Sequence, residues 1–176
     1  DFYGKKSDEV TAFIDGREEI GEDGTFIRAE VYPALISNQT ALYHVKGVSC
    51  FSSTADESFI QFMKSLGFHN NGINGVRNAG LTKVTASLMG IHYLIDINGT
   101  STLPGGFARV EDTGNLTIFE NTDALSVGYM VSPDVLDFVT INQNNPFNTT
   151  DKFLEALGTD GVYNPEVLLP GATENA

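Results

Sequence analysis

Between Thr82 and Ile97 the spacing of apolar side chains changes period within a single stretch of chain. Val84 and Leu88 lie four apart, on one face of a helix that Gly90 closes, whereas Ile91, Tyr93, Ile95 and Ile97 then alternate as in a strand. A helix running directly into a strand excludes an all-helical bundle and an all-β sandwich. The same stretch holds the longest apolar run, Ala86 to Ile97, which Ser87, Gly90, His92 and Asp96 interrupt. It falls short of the roughly 20 residues that a membrane helix needs.

The rest of the chain reads in the same mixed style. Ser7-Asp8-Glu9 ahead of Val10, Phe13 and Ile14 predicts a capped amphipathic helix, and Asp23-Gly24 a turn. Thr25 to Tyr32 alternates Ile27, Ala29 and Val31 against Arg28 and Glu30, a half-buried strand that Pro33 ends or places at a sheet edge. Ala41 to Val45 reads as a short strand. Thr54 with Glu57 three residues on reads as a capping box before Phe59, Ile60, Phe62, Met63 and Leu66. Phe68 to Gly80 reads as loop, Phe107–Glu111 with Leu116–Glu120 as a hairpin, Ser126–Val131 as a last strand, and Asp151–Leu157 as a helix capped by Thr150. The expected fold class is α+β (mixed α/β), a mixed sheet of short strands packed with about three helices. Residues 1–158 are expected to form one domain, and 159–176 a C-terminal extension truncated from a following region. The chain opens on Asp1-Phe2-Tyr3 without an initiator Met or leader segment and stops at Thr173-Glu174-Asn175-Ala176, from which a piece of a longer protein is expected.

Charge narrows the partners. Ten Lys and Arg against twenty-three Asp and Glu give −13 over 176 residues, which excludes nucleic acid and disfavours an anionic membrane surface. Twelve Phe and six Tyr exclude a disordered acidic tail. With Cys50 the sole cysteine, no internal disulfide can form.

Motifs for chemistry are sparse. Asp112-Thr113-Gly114 matches the aspartic-protease triplet, yet it sits where the hairpin must turn and Asp and Gly are turn residues. Gly47-Val48-Ser49-Cys50-Phe51 lacks the second glycine of a nucleophile elbow, and Cys50 reads as a packing residue. His44, His69 and His92 share no metal-ligand spacing, and Glu18-Glu19-Glu22-Asp23 fits no calcium loop. Pro104-Gly105-Gly106 lacks the lysine of a phosphate cradle. Four Asn-x-Ser/Thr sequons, beginning at Asn38, Asn98, Asn115 and Asn148, are read as chance in an Asn- and Thr-rich chain. No catalytic residue, metal or cofactor is assigned from these patterns.

Leu42-Tyr43-His44-Val45-Lys46-Gly47-Val48-Ser49-Cys50-Phe51-Ser52-Ser53 resembles the Leu-Tyr-x-x-x-Gly-(Ile/Val)-Ser-x-Phe-Ser-Ser signature of the YfhO family of bacterial multi-pass membrane proteins. Other blocks agree in order: Phe26-Ile27-Arg28, Ser37-Asn38, Leu66-Gly67, Leu81 to Leu94, Ile118-Phe119-Glu120-Asn121, Ala124 to Val131, and Asn145-Pro146-Phe147. Lys83 and Ser126 stand where the family has Pro, and His92 where it has Lys, so a role resting on that lysine does not carry over. The resemblance implies a membrane-embedded, glycosyltransferase-like protein of the polyprenyl-phosphate-sugar type, linked in Gram-positive bacteria to teichoic-acid glycosylation. This chain would be a non-catalytic extracytoplasmic domain on the outer face of the cell membrane. Its expected partners are the transmembrane part of its own chain and a cell-wall glycopolymer. Tyr43, Phe51, Ser52, Ser53, Asn78 and Asn121 are the residues expected to form a polar–aromatic surface for sugar, although helix capping by Ser52, Ser53 and Thr54 and core packing of Tyr43 account for the same residue types. Two other expectations stand beside it: a free-standing hydrolase built on His44 or His92 with an acid, and a cell-envelope protein-interaction module.

Overall fold

A computed structural model describes residues 6–20, 26–99, 105–112, 116–133, 135 and 145–158. In chain order the elements are α1 (Ser7–Ile20), β1 (Arg28–Val31), α2 (Gln39–Leu42), β2 (Cys50–Phe51), α3 (Glu57–Ser65), β3 (His69–Asn70), β4 (Gly75–Arg77), α4 (Lys83–Leu88), β5 (Ile91–Asp96), β6 (Ala108–Asp112), β7 (Thr117–Glu120) and α5 (Pro146–Ala156). The strands make two sheets, β1-β5-β7-β6 and β2-β4-β3. Among the described residues β1 and β5 pair in parallel and the other strand pairs are antiparallel. The α+β expectation holds.

Strands β1, β5 and β7 of the larger sheet are buried on both faces, which the β1 alternation did not predict, whereas β6 at its edge is exposed throughout. On one face Ala29, Val31, Tyr93, Ile95 and Ile118 pack beneath Val10 and Ile14 of α1, with the Phe13 ring edge-on to Tyr93 at 5.2 Å between centroids. On the other, Ile91, Leu94 and Phe119 pack against Ile60 and Met63 of α3, Ala86 of α4 and Val76 of the smaller sheet. Ile91 thus faces away from Tyr93 despite the two-residue spacing. The β1–β5 register jumps from Arg28↔Ile91 to Ala29↔Tyr93, so His92 is the extra residue of a β-bulge that switches the strand's phase.

Several local expectations are corrected. The strand expected over Ala41–Val45 is instead the short helix α2, closed by the Tyr43 and His44 amides donating to Thr40 and Ala41 carbonyls; His44 then reverses the chain in the left-handed region at φ 54°. The N-cap of α3 is Asp56, whose carboxylate accepts from the Phe59 amide at 2.9 Å, while Ser52 and Thr54 close a separate turn upstream. The segment expected as loop, Phe68–Gly80, carries β3 and β4, joined where Asn71 Oδ1 collects the amides of Ile73, Asn74 and Gly75. α5 starts five residues earlier than expected: Asn145 caps it by accepting from the Asn148 amide, Pro146 opens it, and Thr150 lies within the helix. Ser126–Val131 forms no strand. The β6–β7 hairpin is present, although its tip at 113–115 lies outside the described residues, as do the 21–25 turn and the 159–176 extension.

Candidate functional site

The feature that organises the centre of the molecule is a carboxylate. β1 sends Ala29 and Val31 to the α1 side, which turns Glu30 toward the smaller sheet, where it is 0% exposed. The chain approaching β2 closes over it. The Val48 amide donates to Glu30 Oε1, joined there by the Ser49 amide at 2.8 Å. Ser49 Oγ donates to Oε2 at 2.7 Å. Asn78, following β4, donates from Nδ2 to the same oxygen at 2.9 Å and to the Val31 carbonyl at 2.7 Å, while its Oδ1 accepts from the Ala34 amide at 3.1 Å. Gly47 makes the approach possible: a Cβ there would stand 2.7 Å from both Glu30 Oε1 and Thr40 Cγ2. Burial outweighs these donors and pushes the Glu30 carboxyl up from its ordinary value. Burial, then the Glu30 charge, also raises the Cys50 thiol, leaving it a poor nucleophile at neutral pH. A carboxylate enclosed in this way meets no substrate. Its work is to tie the strand of one sheet to the segments that carry the other.

The six residues expected to form a sugar-facing surface divide between interior and surface. Tyr43 is 0% exposed in the α1-side core. Asn78 belongs to the Glu30 network just described. Asn121 is buried beyond β7, where Nδ2 donates to the Ser87 hydroxyl and the Ile91 carbonyl, each at 3.1 Å. Phe51, Ser52 and Ser53 remain together at the surface, with Phe51 53% exposed. The Phe51 backbone is held by Asn38, whose Oδ1 accepts from its amide at 2.7 Å and whose Nδ2 donates to its carbonyl at 3.1 Å, as a neighbouring strand would. Asn38 and Glu30 were not among the six candidate surface residues; Asn38 entered the sequence reading only as the start of a sequon and as part of the Ser37-Asn38 block. In Glu30's case alternation assigned the solvent face, and the signal available was a Gly-x-Ser segment with no chemistry of its own.

The histidines stand on separate elements. His44 follows α2 and is exposed, His69 is exposed on β3, and His92 at the bulge of β5 has Nδ1 2.9 Å from the Gly90 carbonyl. Among the described residues no group of three or more His, Cys, Asp or Glu side chains converges. Asp112 of the Asp-Thr-Gly triplet ends β6 and takes Arg109 at 2.7 Å.

A second region lies at the other end of β5. The chain after Asn121 crosses the C-terminal end of α4: the Leu125 amide donates to the Ser87 carbonyl at 3.1 Å, and the Tyr129 hydroxyl to the Leu88 carbonyl at 3.4 Å. With Arg28, Met89 and Phe153 this strap borders an open cavity of about 420 Å³. The Arg28 guanidinium donates to the Met89 carbonyl, and burial lowers its pKa.

The profile of the family described as bacterial membrane protein YfhO matches residues 3–167. No curated protein and no solved structure matches the chain. Among the described residues no helix is long and apolar enough to cross a membrane.

Proposed function

The chain belongs to the YfhO family of bacterial membrane proteins, and on that premise we propose that it serves as a non-catalytic extracytoplasmic domain supporting a membrane-embedded glycosyltransferase of the polyprenyl-phosphate-sugar type. The observation that supports this reading is the use made of the family-like block itself. Gly47, Val48 and Ser49 are committed to enclosing Glu30, and Ser52 closes a turn onto Thr54. Its polar groups build a scaffold; they do not open onto a reaction site. The transmembrane part of the same protein is then the domain's first partner. The outer-face location and the link to teichoic acid follow from the family resemblance.

Contact with an acceptor polymer belongs to Phe51, Ser52 and Ser53, which share the surface, while Tyr43, Asn78 and Asn121 hold that surface from within. An anionic polymer meeting a chain of net charge −13 needs a divalent bridge or a local basic patch, and Phe51, Ser52 and Ser53 bring no cation, so this reading takes the divalent bridge. NMR titration of the chain with glycerol-phosphate or ribitol-phosphate oligomers should therefore shift the amides of 51–53 in the presence of Mg²⁺ and leave them unmoved in EDTA. An absence of shifts at millimolar oligomer sinks the acceptor role. The location is tested in the full-length protein carrying Cys50→Ala and Ile73→Cys: a membrane-impermeant maleimide should label intact cells, because Ile73 is 71% exposed. Labelling only after lysis overturns the outward placement.

A further inference from the structure

Three Asn-Gly bonds occur in the chain, Asn71-Gly72, Asn74-Gly75 and Asn98-Gly99. Each holds the groups for one reaction. The backbone nitrogen of the glycine gives up its proton to water and attacks the asparagine Cγ, and the side-chain nitrogen leaves as ammonia. The cyclic succinimide then takes up one water and reopens, either as Asp or as isoAsp. Glycine favours the attack because it has no Cβ to crowd the closing ring, and asparagine is thermolabile for this reason. The fold treats the three bonds differently.

In the turn between β3 and β4 every reacting group is occupied. The Gly72 amide, the nucleophile for Asn71, donates to Asn70 Oδ1 at 2.9 Å. Asn71 Oδ1 accepts from the amides of Ile73, Asn74 and Gly75 at 3.1, 3.0 and 2.9 Å, and its Nδ2 donates to Asn74 Oδ1 at 2.9 Å. The Gly75 amide, the nucleophile for Asn74, is thus one of the three that Asn71 holds. Turning either Cγ toward its glycine nitrogen breaks several of these bonds at once, so both sites react only from an opened turn.

The third bond is arranged otherwise. β5 ends at Asp96, Ile97 stays 6% exposed in the α1-side core, and Asn98 and Gly99 emerge at the surface. The Asn98 backbone is anchored, since its amide donates to Asp96 Oδ1 at 2.9 Å. Among the described residues no hydrogen bond holds the Asn98 side-chain amide or the Gly99 N–H. Gly99 takes the left-handed region at φ 67°, which a residue without Cβ enters and leaves at little cost.

We propose that Asn98-Gly99 is a site of spontaneous covalent modification, at which the folded domain deamidates while its other two Asn-Gly bonds are kept intact by the turn around Asn71. The Asp product adds a negative charge two residues from the buried Asp96. The isoAsp product lengthens the main chain by one methylene just past the bond between the Asn98 amide and Asp96. Both alter the exit of β5, the strand that the two cores share. The chemistry is independent of what the domain supports or binds, so its failure leaves the proposed function standing.

The test incubates the folded 176-residue chain at mildly alkaline pH and follows each Asn-Gly peptide by mass spectrometry, which reads the exchange of NH2 for OH. Chromatography against synthetic peptides separates Asp from isoAsp. Asn98 should react more than about tenfold faster than Asn71 or Asn74, because opening the turn must precede reaction at those two. In urea the three rates should converge, since the difference belongs to the fold. Asn98→Gln should remove the fast product, and Asn70→Ala, which releases the Gly72 amide, should speed reaction at Asn71 and leave Asn98 unchanged. Equal rates in the folded chain, earlier reaction at Asn71 or Asn74, or an Asn98 that stays intact while the unfolded chain reacts overturns the proposal.

Discussion

A methyl group at Gly47 has no place to go, because it would meet a carboxylate oxygen, a threonine methyl and, at 3.0 Å, the Ala29 carbonyl. Gly47→Ala should lower the unfolding free energy by about 1–3 kcal/mol, measured by urea denaturation, through overpacking around Glu30. Glu30 itself sets a pH dependence whose sign follows from its burial. Its folded pKa lies above its unfolded value of about 4.3, so the native chain keeps this proton to higher pH than the unfolded chain does. The stability it contributes is complete below the unfolded value, declines as pH rises toward the raised folded value, and stays lost above it. Gln at position 30 cannot titrate, so the stability of the natural chain relative to Glu30→Gln should fall as pH rises through that window. A difference that grew with pH would show that the four donors outweigh burial and hold the anion. Little of this network was legible in the sequence. Alternation along Ala29-Glu30-Val31 describes the two faces of a strand correctly, but it cannot say that a second sheet covers the polar one.

Elements with enough length declared themselves. α1 and α3 span three or more turns' worth of apolar periodicity or close to it, and both were expected from Val10, Ile14, Ile60 and Met63, which the structure buries. Strands of two or three residues, such as β2, β3 and β4, are too short for a period to exist, so no alternation marked them in the sequence. The phase change at His92 is likewise a property of pairing with β1, absent from any pattern in β5 alone. Caps were misplaced for a related reason. Ser, Thr and Asp crowd the approach to α3, and geometry alone picks Asp56 over Thr54. Asp56→Ala should therefore cost about 1 kcal/mol in chemical denaturation, and Thr54→Ala only a few tenths. Equal losses would return the cap to Thr54. The candidate surface residues suffered the same ambiguity: Tyr, Ser and Asn serve a binding face and a satisfied interior equally well, and position inside the fold separates Tyr43, Asn78 and Asn121 from Phe51, Ser52 and Ser53.

At the scale of the molecule, the α1-side and α3-side cores are two faces of one sheet, joined again by the Glu30 network. Leu94 and Ile95 are adjacent in β5, both 0% exposed, and belong to opposite cores. If each core were an independent unit, Leu94→Ala would loosen α3 and the smaller sheet while α1 remained docked, and Ile95→Ala would do the converse. The shared strand argues otherwise. β5 hydrogen-bonds to β1 on one side and β7 on the other, so neither face can open without exposing the backbone that the other face requires. Asn78 adds a second link, since it bonds both the Glu30 side chain and the Val31 backbone. Each truncation should then cost about 2–5 kcal/mol and lower one common unfolding transition. Amide hydrogen exchange separates the alternatives directly. A single transition requires that protection of Val10 and Ile14 fall together with that of Ile60 and Val76 in both variants. Protection lost from only one set in Leu94→Ala, with the other unchanged, would divide the molecule into two folding units and leave the buried carboxylate as a contact between them.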